Sequence, residues 1–180
     1  MSDYKEVIEF WFEQLEQSDW WKKDEKLDKT IKDRFLKTHT AAIHCELYHW
    51  RSDQLGRLAE IIVIDQFSRN IYRDRPESFL YDNLALALSQ EAVSGNHDTN
   101  LTAQQKAFLY MPYMHSESKI IHEQALTLFN QPGLETNLDF ELKHKVIIDR
   151  FGRYPHRNKV LGRQSTKEEI EFLKEPNSSF

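Results

Sequence analysis

The chain has 180 residues, enough for one domain that buries its own core without disulfides or metals. Apolar residues make up 39% and aromatic ones 12%, so the core must lean on Trp, Tyr and Phe, which bury much area per residue. The net charge of −5 argues against a general nucleic-acid binder. The single cysteine, Cys45, excludes an intrachain disulfide and suits a reducing compartment.

The longest aliphatic run, Ile61 to Ile64, is far short of the roughly 20 residues that span a bilayer. The start, Met-Ser-Asp-Tyr-Lys-Glu, lacks the basic residues and apolar core of a signal peptide. The expectation is a cytoplasmic, soluble protein with no membrane and no nucleic-acid partner.

Five Gly and five Pro fall between stretches of helical periodicity. Val7, Trp11 and Leu15 step by four and predict a short first helix. Asp24 caps a second, with Leu27, Ile31, Phe35, Thr38, Ala42 and Cys45 as its stripe. A third runs from about Asp53 to Ile71, and a fourth from Asp82 to a stop at Gly95. Thr102 and Gln105 form a capping-box pair for a fifth, which ends near Met111-Pro112 unless Pro112 kinks a longer helix. Ser116 starts a sixth, ending near Pro132-Gly133. The seventh runs from about Asp139 to Phe151, with Gly152 as its C-terminal cap. Pro155 begins a short eighth that stops at Gly162. A second capping-box pair, Thr166 and Glu169, starts a last helix closed by Pro176. No β alternation of useful length appears. The expectation is a single all-α domain over residues 1–180, about eight or nine helices packed as antiparallel hairpins.

One pattern occurs twice. Asp65, Phe67, Arg69 and Arg73 match Asp149, Phe151, Arg153 and Arg157 in spacing, each set following three aliphatic residues. The match is either coincidence in a chain rich in these residues or a remnant of duplication. At 100° per residue, Gln66, Arg69 and Arg73 continue the side of Leu55, Leu58 and Ile62, so an otherwise apolar helix turns polar along one side. Asp65 can pair with Arg69 at i, i+4, whereas Arg73 has no acid at that spacing. Such a patch is either an internal ion-pair tie or a pocket where guanidinium forks grip carboxylate or phosphate. In the second copy, Pro155 puts His156, Arg157 and Asn158 in a first helical turn, where free N–H groups favour anions or where the polar side chains are simply solvated.

His115 and Glu117 flank Ser116, which is more simply a helix cap than a nucleophile. A His beside a Glu suits acid–base work. His115, His122 and Glu123 could supply half a metal site, yet lack the tight spacing of one. His39, His44, Cys45, Glu46 and His49 resemble a metal cluster until a helical wheel is drawn; a core Cys45 with surface histidines is the expectation, and no metal is assigned. Trp11, Trp20, Trp21 and Trp50 read as core and corner packing rather than an exposed groove.

Three stretches, Asp65 to Asn70, Tyr110 to Glu117 and Arg150 to Asn158, together with Leu161 to Thr166 and the end Glu175 to Phe180, resemble an uncharacterised, mainly bacterial family catalogued as domain of unknown function 924. The resemblance covers nearly the whole chain. It implies a tetratricopeptide-like helical fold and no activity. His122 lies outside the motifs that carry it.

Three functional readings follow. In the first, Asp65, Arg69, Asn70, Arg73, Arg153, Arg157 and Asn158 hold a small anionic metabolite, with His115, Glu117 and His156 as catalytic residues of a hydrolase or transferase. His115 or His156 is then acid or base, oriented by Glu117 or Asp65. In the second, a tetratricopeptide-like groove binds a peptide carboxylate without catalysis. In the third, the polar residues are internal ties alone. The cofactor remains open.

Overall fold

The structure, a computed structural model, describes residues 2–176 and 178–179. Met1 lies outside them, as do Asn177 and Phe180 of the C-terminal motif. Among the described residues the fold is all-α, with eight helices and no strand. No helix is long and apolar enough to cross a membrane.

Helix α1, Tyr4–Glu9, runs directly into a π-helical turn, Phe10–Gln14. Helix α2, Glu25–Ile43, is capped as expected: the Asp24 carboxylate accepts from the Lys26 and Leu27 N–H groups. It stops at Ile43, so its stripe does not reach Cys45, which takes φ 59 in the following turn and is exposed. His39 takes the inner place instead and is buried. The expected assignment of a core cysteine with surface histidines is therefore reversed at these two positions.

Helix α3 has three parts without a break: Gln54–Ile62, a π-helical turn Val63–Phe67, and a last turn Ser68–Ile71. Its apolar residues on every side are the reason for its central place. Leu58, Ala59, Ile61, Ile62, Val63, Ile64 and Phe67 are all fully buried, and α3 packs against α1, α2, α4 (Asp82–Ser94) and α5 (Ala103–Met114). The π turn matters for the site because it contains Asp65 and Gln66. A helical wheel at 100° per residue does not carry across such a turn, a local widening common at functional sites.

Pro112 sits inside α5 rather than ending it. Only its own missing N–H is lost, and the ladder resumes where the His115 N–H reaches Met111 O at 3.0 Å. Helix α6, Lys119–Phe129, begins later than Ser116, whose hydroxyl accepts from the Ser118 N–H in the preceding turn. Helix α7, Glu135–Phe151, begins one turn earlier than Asp139 and ends as predicted on Gly152 at φ 68. A 3-10 turn, Pro155–Arg157, and the turn at Gly162 lead to α8, Lys167–Phe172, with its Thr166/Glu169 capping box. Helices α5, α6 and α7 pack in sequence through short connections, and α7 also touches α5. The core is one large cluster from α1 to α6 and a small one of Ile147, Ile148, Tyr154 and Phe172.

Candidate functional site

Three helix faces, each with i, i+3, i+4 spacing, enclose a cavity of about 540 Å³. From α3 come Gln66, Arg69, Asn70 and Arg73; from α5, Met111, Met114 and His115; from α7, Asn137, Phe140 and His144. Tyr154, His156 and Arg157 of the turn after α7 contribute a further wall, as do Phe79 and the segment Trp20 to Lys23. Six residues singled out in the sequence, Arg69, Asn70, Arg73, His115, His156 and Arg157, therefore meet at one cavity. Asp65 stands directly behind them.

Asp65 is 1% exposed and fully engaged. It holds His115 Nδ1 at 2.8 Å and Arg69 Nη1 at 3.3 Å, and it accepts from the Gln66 amide at 2.5 Å. Burial alone would push its carboxyl up, but Arg69 and His115 hold it well below the ordinary carboxylate range. An ionised carboxylate only accepts, so His115 Nδ1 must carry a proton. Burial, and then the Arg69 cation, lower the His115 pKa from its ordinary 6.5 against the pull of Asp65. At neutral pH the imidazole is thus neutral, with the lone pair on Nε2. This is the carboxylate–histidine arrangement that orients a general base.

The arginines differ in how well they are satisfied. Arg73, for which no acid was found at helical spacing, pairs bidentately with Asp28 of α2 at 2.5 and 2.6 Å, and Asn70 donates to the same carboxylate at 2.8 Å. Arg69 donates to Asp65 O at 2.6 Å and to both oxygens of Asp82 at 3.1 Å. Arg157 is 7% exposed, yet the one hydrogen bond of its guanidinium among the described residues runs from Nη1 to Asp82 Oδ2 at 3.2 Å. Its Nε–H has no partner. The guanidinium lies 4.6 Å from the ring centroids of both Phe79 and Tyr154. Burial lowers the pKa of Arg157, with Asp82 compensating only in part and Arg69 adding repulsion. Buried arginines normally use most of their five donors, and this one does not.

The two motif copies meet through Asp82, whose carboxylate bridges Arg69 and Arg157. Their roles are not equivalent. Asp149 is exposed and pairs with Lys145 at 2.6 Å. Arg153 forks onto Glu169 at 2.6 and 2.8 Å, and Asn158 bonds Ser165 and Glu169. These residues tie the chain end to α8 and do not line the cavity. Glu117 does not face His115; it pairs with Arg163 at 2.6 and 2.9 Å and accepts the Tyr154 N–H. Asp65 holds the orienting position beside His115.

His122 is occupied as well. Its Nδ1 lies 2.6 Å from Glu141 Oε1 and its Nε2 2.8 Å from the Ser116 carbonyl, with both side chains fully buried. A carbonyl only accepts, so Nε2 is protonated and pins the turn that carries His115 and Ser116. Burial raises the Glu141 carboxyl above its ordinary range. Among the described residues no group of three or more His, Cys, Asp or Glu could hold a metal ion.

Sequence reasoning missed Asp82, Asp28, His144, Tyr154 and Phe79. The partners of Arg69 and Arg157 on Asp82 lie 13 and 75 positions away, and no local pattern carries such a pairing. Trp21 is a second departure. Trp11 and Trp50 are core as expected, but Trp21 is 63% exposed at the cavity.

No curated protein matches the chain. It is similar to the solved structure of a protein of unknown function from Agrobacterium tumefaciens, at 33% identity and a TM-score of 0.90, covering 95% of this chain and 96% of that one. The family described as bacterial protein of unknown function (DUF924) matches residues 7–177, and the chain belongs to that family.

Proposed function

We propose that the cavity binds a small anionic ligand and that His115 acts on it as a general base in hydrolysis or group transfer. The observation that carries this reading is Arg157: a buried cation, lining the cavity, with most of its donors unused. A carboxylate or phosphate oxygen would complete it. The neighbouring His115–Asp65 pair supplies the chemistry. Nε2 takes the proton of an attacking water or alcohol, Arg157 and Arg69 stabilise the charge that develops, and the imidazolium returns the proton to the leaving oxygen. Arg73 and Asn70 hold the outer wall through Asp28.

The alternative of a tetratricopeptide-like module gripping a peptide carboxylate calls on the same Arg157. It would be favoured by a long groove, whereas the Arg, Asn and His residues here converge on one concavity.

Turnover of a panel of nitrophenyl phosphate and carboxylate esters tests the reading. The wild type is expected to cleave at least one class, and His115→Asn to lose about 100-fold or more in kcat. Because His115 titrates below 6.5, the acidic limb of kcat/KM should fall below that pH and vanish in the variant. Equal turnover by His115→Asn, or none by the wild type, rejects the catalytic role.

A further inference from the structure

We infer that the ligand is an amphipathic organic anion: an anionic head at Arg157 and Arg69, and an aromatic or apolar body reaching about 10 Å across the cavity to Trp21. The inference rests on the anion-binding reading above and adds the rest of the molecule.

The cavity is chemically two-ended. At one end stand Arg69, Arg157, His115 and His156. Toward the other stand Met111, Phe140 and Trp21, with the Gln66 amide on Met111 Sδ at 3.4 Å and Arg73 already forked onto Asp28. Helix α5 gives the distance between the ends. Trp21 lies flat against Phe108, ring centroids 6.1 Å apart and planes 10° from parallel. His115 is seven residues further along from Phe108, which at 1.5 Å rise per residue is about 10 Å. Met111 lies between them, one turn from each. Helix α7 repeats the gradient: Phe140, partly exposed, is one turn, about 6 Å, from His144 at the histidine end.

The aromatic end is prepared. Phe108 and Trp20 (6.3 Å, 87°) hold the Trp21 indole, while 63% of it stays uncovered. A flat ring is the natural complement of an open indole face. Lys22 and Lys23 stand beside it, but both are largely exposed and paired, with Asp19 at 3.9 Å and Asp74 at 2.8 Å. Their charges are balanced in water, so the unsatisfied cation stays at the Arg157 end. A simple inorganic anion would leave the Met111, Phe140 and Trp21 wall unused. A neutral apolar molecule would leave Arg157 unsatisfied.

Calorimetric titration of the intact protein with methylphosphonate, phenylpentylphosphonate and phenylpentanol separates the terms. Phenylpentylphosphonate is expected to bind about ten-fold or more tighter than methylphosphonate, the increment of one well-placed aromatic contact. Trp21→Ala, on an exposed side chain, should remove that increment and leave methylphosphonate unchanged. The inference is overturned if the two phosphonates bind alike to the wild type, or if Trp21→Ala alters neither. The underlying anion reading fails instead if Arg157→Met leaves both phosphonates unchanged, if phenylpentanol binds as tightly as phenylpentylphosphonate, or if no probe binds.

Discussion

Replacement of Arg69 by methionine is expected to lower the unfolding free energy by about 3–5 kcal/mol, the cost of removing one partner from a buried ion pair. Arg69 touches two carboxylates. Asp65, 1% exposed, loses its nearest cation and keeps only Gln66 and His115; Asp82 keeps only Arg157. Asp65 is shut off from water, while Asp82, 14% exposed, is partly so. Methionine fills similar volume, so the loss reports the charge rather than a cavity. Urea denaturation at pH 7 measures it. A loss under about 1 kcal/mol would show that the Asp65–Arg69–Asp82 set is solvated and is no internal tie.

Acidification from pH 7 to 5 is the second large effect, on the order of 1–2 kcal/mol lost per buried histidine. Burial lowers His39 to about 4, His144 to about 3 and His156 to about 4, all from an ordinary 6.5. The unfolded chain takes up these protons as pH falls through 6.5, while the folded chain resists until about 4. Their contribution is therefore full above 6.5 and is lost progressively below it. Glu141, raised by burial, acts in the opposite sense, as one group against these three and His115, which burial also lowers.

His39 shows the cause most clearly. The Ser68 hydroxyl donates to Ile64 O, so His39 Nε2–H must donate to Ser68 Oγ at 2.8 Å. That leaves the buried Nδ1 without a proton or a partner. Urea midpoints at pH 5 and 7 test the effect, and His39→Gln should flatten the decline. Equal midpoints at the two pH values would contradict it.

Much of the fold was legible because its signals are local. Asp24, Thr102 and Thr166 cap helices where their patterns said, and Gly95 and Gly152 end them. The all-round apolar surface of α3 announced its central position. The boundaries that moved did so for local reasons too: a proline inside a helix costs one donor, and the Ser116 hydroxyl served a turn instead of a cap. Several residues lining the candidate site were legible; their wiring was not. Arg69 could be named because it interrupts an apolar helix, Arg157 because it repeats the spacing of Arg73 beside Pro155, and His115 because it stands near Glu117. That Asp82 would join Arg69 to Arg157, that Asp28 would satisfy Arg73, and that Asp65 rather than Glu117 would hold His115 depend on contacts far apart in the chain. Likewise Arg153 matches Arg69 in the doubled pattern, yet Glu169 draws it and Asn158 toward α8.

Arg157, as proposed, is an incomplete anion site. Crystals soaked in sodium tungstate, whose metal scatters anomalously and whose oxyanion mimics phosphate, test it directly. One strong anomalous peak is expected in the cavity, within hydrogen-bond distance of Arg157 and beside His115. Peaks confined to surface lysines, with none in the cavity, would contradict it.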